Sequence, residues 1–353
     1  MKAKLYLLAL AAVSTAVMSS CSQDEPISVA TTSENAISFR PAMGASRAVE
    51  TTNENLSQIT VSSFIGDQLY IDRIDYTKDT DGFFKSSPEY NWPGDDSQLT
   101  FYAYAPANPG NVTITKDNKT LTDFSPATSP ADQIDFITAT ATGTRSANEA
   151  SGVELTFNHR LSQIEVRAKT DNTVYNYEIS GIRIGQPLSS GSFDFNTTAW
   201  TLGTDKAIYE ETYDTPVKLT ATAASVMGTE GNAMLLPQQL TPWSPDTDGS
   251  NSAKGAYLSV KLRITTAETG AQLYPFPSDT NCQWAAIPID TNWEAGKKYI
   301  YTLDLTNGSG YVDPNDPEPG KPVLGGPIRF TVNVVDWTDT PVDLPMTTDE
   351  DTK

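Results

Sequence analysis

The residues that could carry out enzymatic chemistry are few. The chain of 353 residues contains one histidine, His159, and two cysteines, Cys21 and Cys282. A nucleophile–histidine–acid triad would have to use His159, and one imidazole with one thiol is too small a set for a zinc site. No glycine-rich phosphate loop follows a predicted strand. We therefore predict that the protein is not an enzyme, that it needs no metal or cofactor, and that His159 is structural.

Acidic residues dominate the charge of the chain. There are 44 aspartates and glutamates against 24 lysines and arginines, and the formal net charge is −20. A phosphate-binding surface needs clustered basic side chains, so the composition argues against a nucleic-acid partner. The excess negative charge indicates solubility and mutual repulsion on a crowded surface. A carboxylate pair for glycoside hydrolysis stays open, because spacing in sequence does not give spacing in space.

A modification is expected at Cys21, which follows a hydrophobic segment. Two lysines precede an apolar run from Leu5 to Val17, which is short for a membrane span, and Met18-Ser19-Ser20 supplies a small-residue cleavage zone. This pattern resembles a lipoprotein signal: residues 1–20 would be removed and Cys21 acylated. An ordinary secretory signal with a chance cysteine is the alternative. Only one thiol would then remain for the folded body, so an intramolecular disulfide is not expected.

Arg47 follows a strand-like stretch that could be removed with the anchor. A trypsin-like cut between Arg47 and Ala48 would separate residues 21–47, a lipidated pro-segment, from the rest of the chain. Its apolar residues share one face of an extended segment: Ile37, Phe39 and Met43. Burying each such side chain stabilises a fold by about 1.5–3 kcal/mol, so losing the strand would leave a groove that favours a replacement strand.

Alternation of apolar and polar residues predicts an all-β fold. Period-two segments rich in aromatic and β-branched residues recur between turn-rich stretches, and no long amphipathic helix is expected. Many short strands at this spacing are typical of β-sandwiches, and we predict two tandem antiparallel β-sandwich domains of transthyretin or immunoglobulin type. The clearest of these segments are Leu99–Ala105, Ile164–Ala168, Tyr257–Ile264, Tyr299–Leu305 and Ile328–Val335.

Polar breaks in the pattern suggest the domain boundaries. The break at 142–152 places an N-terminal domain at residues 48–147 and a C-terminal domain at residues 148–353, with Lys169–Thr173 as the competing junction. A second break, 306–327, is rich in glycine and proline and predicts a flexible linker before a terminal strand at 328–346.

Several motifs resemble those of one known family. In chain order they are Ser46-Arg47-Ala48, Asn91-Trp92-Pro93, Leu99 to Pro106, Phe157 to Val166, Trp293 to Tyr301 and Ile328 to Trp337. These segments are similar to the maturation site, the strand signatures and the closing strand of the fimbrillin-like family, the type V pilins and their relatives.

This resemblance implies a structural subunit of a cell-surface fimbria that supports adhesion. Such a subunit would be exported as an outer-membrane lipoprotein precursor, cut by an Arg-specific protease at Arg47, and polymerised with other pilin subunits by donor-strand exchange. No nucleic acid is implied as a partner. Whether the subunit lies in the stalk or at the tip is left open.

Two C-terminal segments could supply the donor strand, and the sequence does not choose between them. Both have apolar residues on one face of an extended segment. They are Ile328, Phe330, Val332 and Val334 in the first, and Val342, Leu344 and Met346 in the second.

The competing hypothesis is a monomeric, glycan-binding surface lipoprotein that uses exposed tryptophans as sugar platforms. Trp243, flanked by prolines, is the most loop-like of them. Large aromatic residues in sandwiches usually belong to the core. The candidates are Trp92, Trp200, Trp243, Trp284, Trp293 and Trp337.

Overall fold

Short strands account for nearly all of the regular structure, which confirms the predicted all-β fold. The computed structural model describes residues 35–42, 52, 55–228, 231–245, 255–275 and 282–337. The strands are β1 (Phe39–Ala42), β2 (Gln58–Ile65), β3 (Gln68–Lys78), β4 (Phe84–Lys85), β5 (Leu99–Ala105), β6 (Asn111–Ile114), β7 (Lys119–Phe124), β8 (Ile137–Gly143), β9 (Val153–Thr156), β10 (Asn158–His159), β11 (Ser162–Lys169), β12 (Tyr175–Leu188), β13 (Gly191–Asp194), β14 (Ala199–Leu202), β15 (Lys206–Lys218), β16 (Ala224–Ser225), β17 (Ala233–Leu235), β18 (Tyr257–Thr266), β19 (Gln272–Tyr274), β20 (Gln283–Pro288), β21 (Lys297–Asp304), β22 (Tyr311–Val312) and β23 (Arg329–Asp336).

Helices are a minor component of the described chain. A single-turn α-helix, α1 (Arg145–Asn148), begins after Thr144, whose side chain accepts a hydrogen bond from the Ala147 backbone N–H. A 3-10 turn spans Pro130–Asp132. No helix in the described residues is both long enough and apolar enough to cross a bilayer.

The first sheet has eight strands in the order β10-β8-β5-β2-β3-β4-β1-β9. Its strand β5 alternates as expected, with Leu99, Phe101 and Ala103 fully buried. The neighbouring strands are antiparallel except at one end, where β1 runs parallel to β9. Their buried apolar residues form what we call the first core: Ile37, Phe39, Leu56, Ile59, Val61, Ile71, Tyr76, Phe84, Trp92, Leu99, Phe101, Ala103, Ala105, Ile137, Ala139, Val153, Leu155 and Phe157.

The pairing of β9 and β10 corrects the predicted domain junction. Both strands follow the expected boundary between residues 147 and 148, yet β9 pairs with β1 and β10 pairs with β8 in the first sheet. The first sheet therefore extends to His159. The competing junction at Lys169–Thr173 comes after β11, which already belongs to another sheet. The polar break at 142–152 is the end of β8 and the turn of α1, which lead back into the same sheet.

A second core lies between two further sheets. One sheet has five strands, in the order β16-β11-β21-β23 with β17 beside β11, and the other has six, in the order β15-β12-β18-β20-β22 with β19 beside β18. Ile164 and Tyr301 from the five-stranded sheet and Ile182 and Leu258 from the six-stranded sheet are buried in one apolar cluster, which we call the second core. These two sheets therefore form a β-sandwich, in which β11 and β21 are parallel.

A small sheet and a third cluster join the two halves of the chain. The sheet has the order β14-β13-β7-β6, so strands from residues 111–124 pair with strands from residues 191–202. The buried residues beside it, which we call the junction core, are Phe64, Tyr104, Ile114, Leu121, Phe124, Phe136, Leu161, Phe193, Phe195, Met234, Leu236 and Trp337.

The segment 306–327 is a hydrogen-bonded hairpin, which corrects the prediction of a flexible linker. Val312 N–H donates to the Lys321 carbonyl at 2.8 Å, and Val323 N–H donates to the Gly310 carbonyl at 2.9 Å. Asp313 in this hairpin is buried and accepts a hydrogen bond from Arg183 Nη1 at 2.9 Å. Glycine and proline exclude a long regular strand here, but backbone pairing and a buried ion pair still hold the segment in place.

Candidate functional site

The structure describes some of the predicted site residues, and the others lie outside the described ranges. The strand residues Ile37 and Phe39 and the donor candidates Ile328, Phe330, Val332 and Val334 are described. The lipidation and maturation residues, one strand residue and the second donor candidate lie outside the described residues: Cys21, Arg47, Ala48, Met43, Val342, Leu344 and Met346.

Strand β1 occupies a slot with a backbone partner on each side. Phe39 is opposite Phe84 of antiparallel β4 and opposite Val153 of parallel β9. Before the strand, Ile37 N–H donates to the Tyr90 carbonyl at 2.7 Å, and Val153 N–H donates to the Ser38 carbonyl at 2.9 Å. A strand with two neighbours makes more ladder hydrogen bonds than an edge strand, so its absence would leave polar backbone groups unpaired on both sides.

The side chains of this strand complete the first core. Ile37 is 2% exposed and Phe39 is fully buried. The Phe39 ring lies edge-on to Tyr76 and Phe101, at centroid distances of 4.8 and 5.1 Å. Burial raises the pKa of Tyr76 well above its ordinary value, so the Tyr76 phenol in the wall of this pocket stays neutral. The shared face predicted for Ile37 and Phe39 therefore points into an aromatic pocket.

Arg40, the basic residue of this strand, is at the surface. It is exposed, and its guanidinium approaches Glu154 of β9 at 4.0 Å. Exposed ion pairs contribute about 0–1 kcal/mol, so Arg40 adds little to the docking of β1.

Strand β23 has the opposite position, at the edge of the five-stranded sheet. It pairs only with β21 among the described strands, in continuous register from Asp304 and Arg329 to Lys297 and Asp336. The pairing with β21 contains no register shift, so this strand has no β-bulge against its partner. One ladder of hydrogen bonds therefore holds this strand to its sheet.

The donor candidates on β23 are buried to different degrees. Ile328, just before the strand, is 5% exposed and belongs to the second core, whereas Val334 is 48% exposed. Phe330 and Val332 are half-buried against the second core, and the Phe330 ring lies 6.0 Å from that of Tyr301. The apolar face of β23 is thus gradually uncovered along the strand.

His159 holds the end of β23 against the first sheet. Its Nδ1 is 2.9 Å from the Asp135 carboxylate, and its ring stacks on the ring of Trp337 with centroids 4.4 Å apart and planes 8° from parallel. All three side chains are buried. The imidazole therefore uses one nitrogen and one face for packing and hydrogen bonding. Sequence analysis predicted a structural histidine but missed Asp135 and Trp337 as partners, because both are far away in the chain.

The six tryptophans do not form exposed platforms. Trp92, Trp243, Trp293 and Trp337 are buried; Trp243 lies outside the strands, as predicted, but it is not exposed. Trp200 and Trp284 are half-buried and interact with other residues. Trp200 Nε1 donates a hydrogen bond to the Arg160 carbonyl at 2.6 Å, and the Arg183 guanidinium lies 4.1 Å from the centroid of the Trp284 ring. Within the described part of the chain, no cluster of three His, Cys, Asp or Glu side chains could hold a metal ion.

Comparison with known proteins agrees with this architecture. A fimbrial protein from Bacteroides vulgatus has 16% sequence identity and a TM-score of 0.54, with 86% of this chain and 100% of that chain covered. A candidate cell adhesion protein from Bacteroides ovatus has 17% identity and a TM-score of 0.50, with 86% and 98% covered. At this identity the similarity concerns the fold. No curated protein sequence is significantly similar to the chain.

The sequence profile of one family spans both cores and the terminal strand. It matches residues 46–337 and is described as fimbrillin-like, in agreement with the motifs on β5, β10, β11, β21 and β23. This match confirms the predicted resemblance and, because the family is structural, the expectation that the protein is not an enzyme. The chain belongs to the fimbrillin-like family.

Proposed function

We propose that this protein is a fimbrial subunit that assembles with other pilin subunits at the cell surface. Membership in the fimbrillin-like family supports this role. The observation that carries the assembly mechanism is the position of β1: it fills the first core from between β4 and β9, and it precedes Arg47 in the chain. Cleavage after Arg47 removes this strand together with the N-terminal anchor and leaves a slot for a strand from another subunit.

Export precedes this step. In our proposal residues 1–20 direct secretion, Cys21 is acylated, and the precursor stays at the outer membrane until an Arg-specific protease cuts between Arg47 and Ala48. The hydrophobic run before Cys21 supports this order. Release of the lipid and opening of the slot then occur in one cut, so that only released subunits are open for polymerisation.

The donor that fits the slot best is β23 of a second copy. Ile328 and Phe330 have the same order and spacing as Ile37 and Phe39, with one residue between them in each case. A strand that enters in the direction of β1, parallel to β9, would place an isoleucine and a phenylalanine where β1 has them. The alternative tail, Val342 to Met346, has the alternation but no aromatic side chain for the pocket beside Tyr76.

Because β23 is an edge strand, few interactions must break before it can act as a donor. Leaving the sheet breaks one ladder, to β21, and uncovers half-buried side chains within the strand, with buried Ile328 just before it and buried Trp337 just after it. Entering the slot pairs the incoming strand with β9 on one side and with β4 on the other, and places its isoleucine and phenylalanine where Ile37 and Phe39 are buried. The exchange therefore increases the apolar burial of the donated isoleucine and phenylalanine.

Replacement of Arg47 tests the proposal. Arg47→Ala is expected to leave a lipidated monomer with β1 docked, whereas Arg40→Ala, a matched change at the exposed basic residue of β1, is expected to be cut and to form fibres. The measurement is fibre formation in the native host, by high-mass ladders in gels without boiling and by N-terminal sequencing for a start at Ala48. Fibres that contain Arg47→Ala subunits with an intact leader would show that removal of the strand is not required.

A further inference from the structure

The strand that borders β1 depends on it for pairing. Among the described strands β9 pairs only with β1, with Phe39 opposite Val153 and Ala42 opposite Thr156, and it ends the first sheet. The ladder continues one residue beyond the strand, because Phe157 N–H donates to the Ala42 carbonyl at 3.0 Å. Loss of β1 would therefore leave residues 153–157 without their backbone partner.

The next residues of the chain lead directly to His159. Strand β10 contains only Asn158 and His159, which pair with Thr138 and Ile137 of β8. Phe157, immediately before it, is buried in the first core beside β1. With so short a strand, the position of the imidazole depends on the two residues of β10 and on the anchoring of Phe157.

His159 in turn contacts the end of the terminal strand. The stack of His159 on Trp337 places the residue that follows β23 in the junction core, while the strand itself packs on the second core. The Trp337 backbone N–H donates to the Gly296 carbonyl at 2.8 Å, but its buried indole Nε1 has no hydrogen-bond partner among the described groups. Stacking on His159 and apolar packing therefore hold the indole, rather than a side-chain hydrogen bond.

We propose that β1 and β23 are coupled through residues 153–159, so that removal of β1 also loosens the terminal strand. This inference rests on the proposed function, because it gives the cut after Arg47 a second consequence. Docked β1 fixes β9 and Phe157, Phe157 and β10 position His159, and His159 covers Trp337. An uncut subunit thus has a filled slot and a retained terminal strand, and a cut subunit has an open slot and a terminal strand that detaches more easily.

Hydrogen exchange in the uncut, full-length chain tests the coupling without any polymerisation. The readout is the amide exchange rate of peptides that cover 328–337, with β18 as an internal reference. Phe39→Ala, which weakens the docking of β1, is expected to raise exchange in 328–337 about tenfold relative to that reference. The matched control is Ile71→Ala, a cavity in the same core on β3, a strand that does not pair with β9, and it is expected to leave exchange in 328–337 unchanged.

Coupling free energies are reciprocal, which provides a second measurement if Phe39→Ala unfolds the first sheet. Trp337→Leu is expected to raise exchange in peptides that cover 153–159 by a similar factor, with β5 as the reference within the first sheet. Equal exchange in 328–337 for Phe39→Ala and Ile71→Ala, or no change in 153–159 for Trp337→Leu, would overturn the inference. If both effects are seen and Arg47→Ala subunits still polymerise, the coupling stands and the proposed maturation step is wrong.

Discussion

The same Ile-x-Phe spacing occurs at the start of β1 and of β23, with the isoleucine just before each strand, but the two strands have opposite structural positions. In β1 the pair lies in the interior of the first core, with backbone partners on both sides, whereas in β23 it lies beside the second core, with one partner. Phe39 is fully buried and Phe330 is half-buried. Alternation in the sequence defines the two faces of a strand, whereas the number of neighbouring strands decides how many backbone partners hold it in its sheet.

The largest expected effect is at Phe39. Phe39→Ala removes a fully buried ring between Tyr76 and Phe101 and should lower the free energy of unfolding of the first sheet by about 3–5 kcal/mol. Val334→Ala, at the exposed end of β23, should change it by less than about 0.5 kcal/mol. Denaturant unfolding followed by circular dichroism compares them. Similar midpoints for both variants would contradict the assignment of β1 as an interior strand.

Phe330 should affect assembly more than folding. Because its ring is half-buried, Phe330→Ser should lower the free energy of unfolding by about 1–2 kcal/mol, yet it should abolish fibre growth if this ring enters the pocket of Phe39 in the next subunit. Thr331→Ala, on the exposed face of the same strand, is the control. Cut subunits incubated at equal concentration and examined by electron microscopy provide the test, and normal fibres of Phe330→Ser would exclude β23 as the donor.

His159→Gln should have a modest effect. Glutamine keeps a hydrogen-bonding group near Asp135 but loses the stacking on Trp337. The free energy of unfolding should therefore fall by about 1 kcal/mol. Fibre formation should persist, because the histidine is not part of the slot or of the donor strand. Loss of a measurable chemical activity in a folded variant would instead indicate a catalytic histidine.

Removing the tail should have the smallest effect. Deletion of residues 341–353 leaves β23 and Trp337 in place, so cleavage, folding and fibre growth should all persist if β23 is the donor. A folded, cut but monomeric product would assign the donor to Val342, Leu344 and Met346. Size-exclusion chromatography after cleavage distinguishes the two outcomes.

Local patterns predicted much of the fold. The alternation in β5, β11, β18, β21 and β23 reflects one buried and one exposed face, a property that each strand has by itself. The same rule predicted that Ile37 and Phe39 share a face. The family motifs lie on these strands, which is why the resemblance could be stated from the sequence.

Long-range pairing limited the rest of the prediction. Nothing in the polar break at 142–152 shows that the chain returns to the first sheet, because the partner of β9 is β1, more than one hundred residues earlier. Glycine and proline are poor strand formers, so the sequence of 306–327 predicts a flexible linker where the structure has a hairpin. Its order comes from backbone pairing and from Arg183 on Asp313, a contact between distant segments.

The sequence by itself determined the strand faces and the family. Only the tertiary structure decided that β1 lies between β4 and β9, that β23 is an edge strand, and that His159 stacks on Trp337. The physical reason is that side-chain alternation depends on neighbours in the chain, whereas strand order, the number of hydrogen-bonding partners and the stacking of two rings from different strands depend on how distant segments pack together.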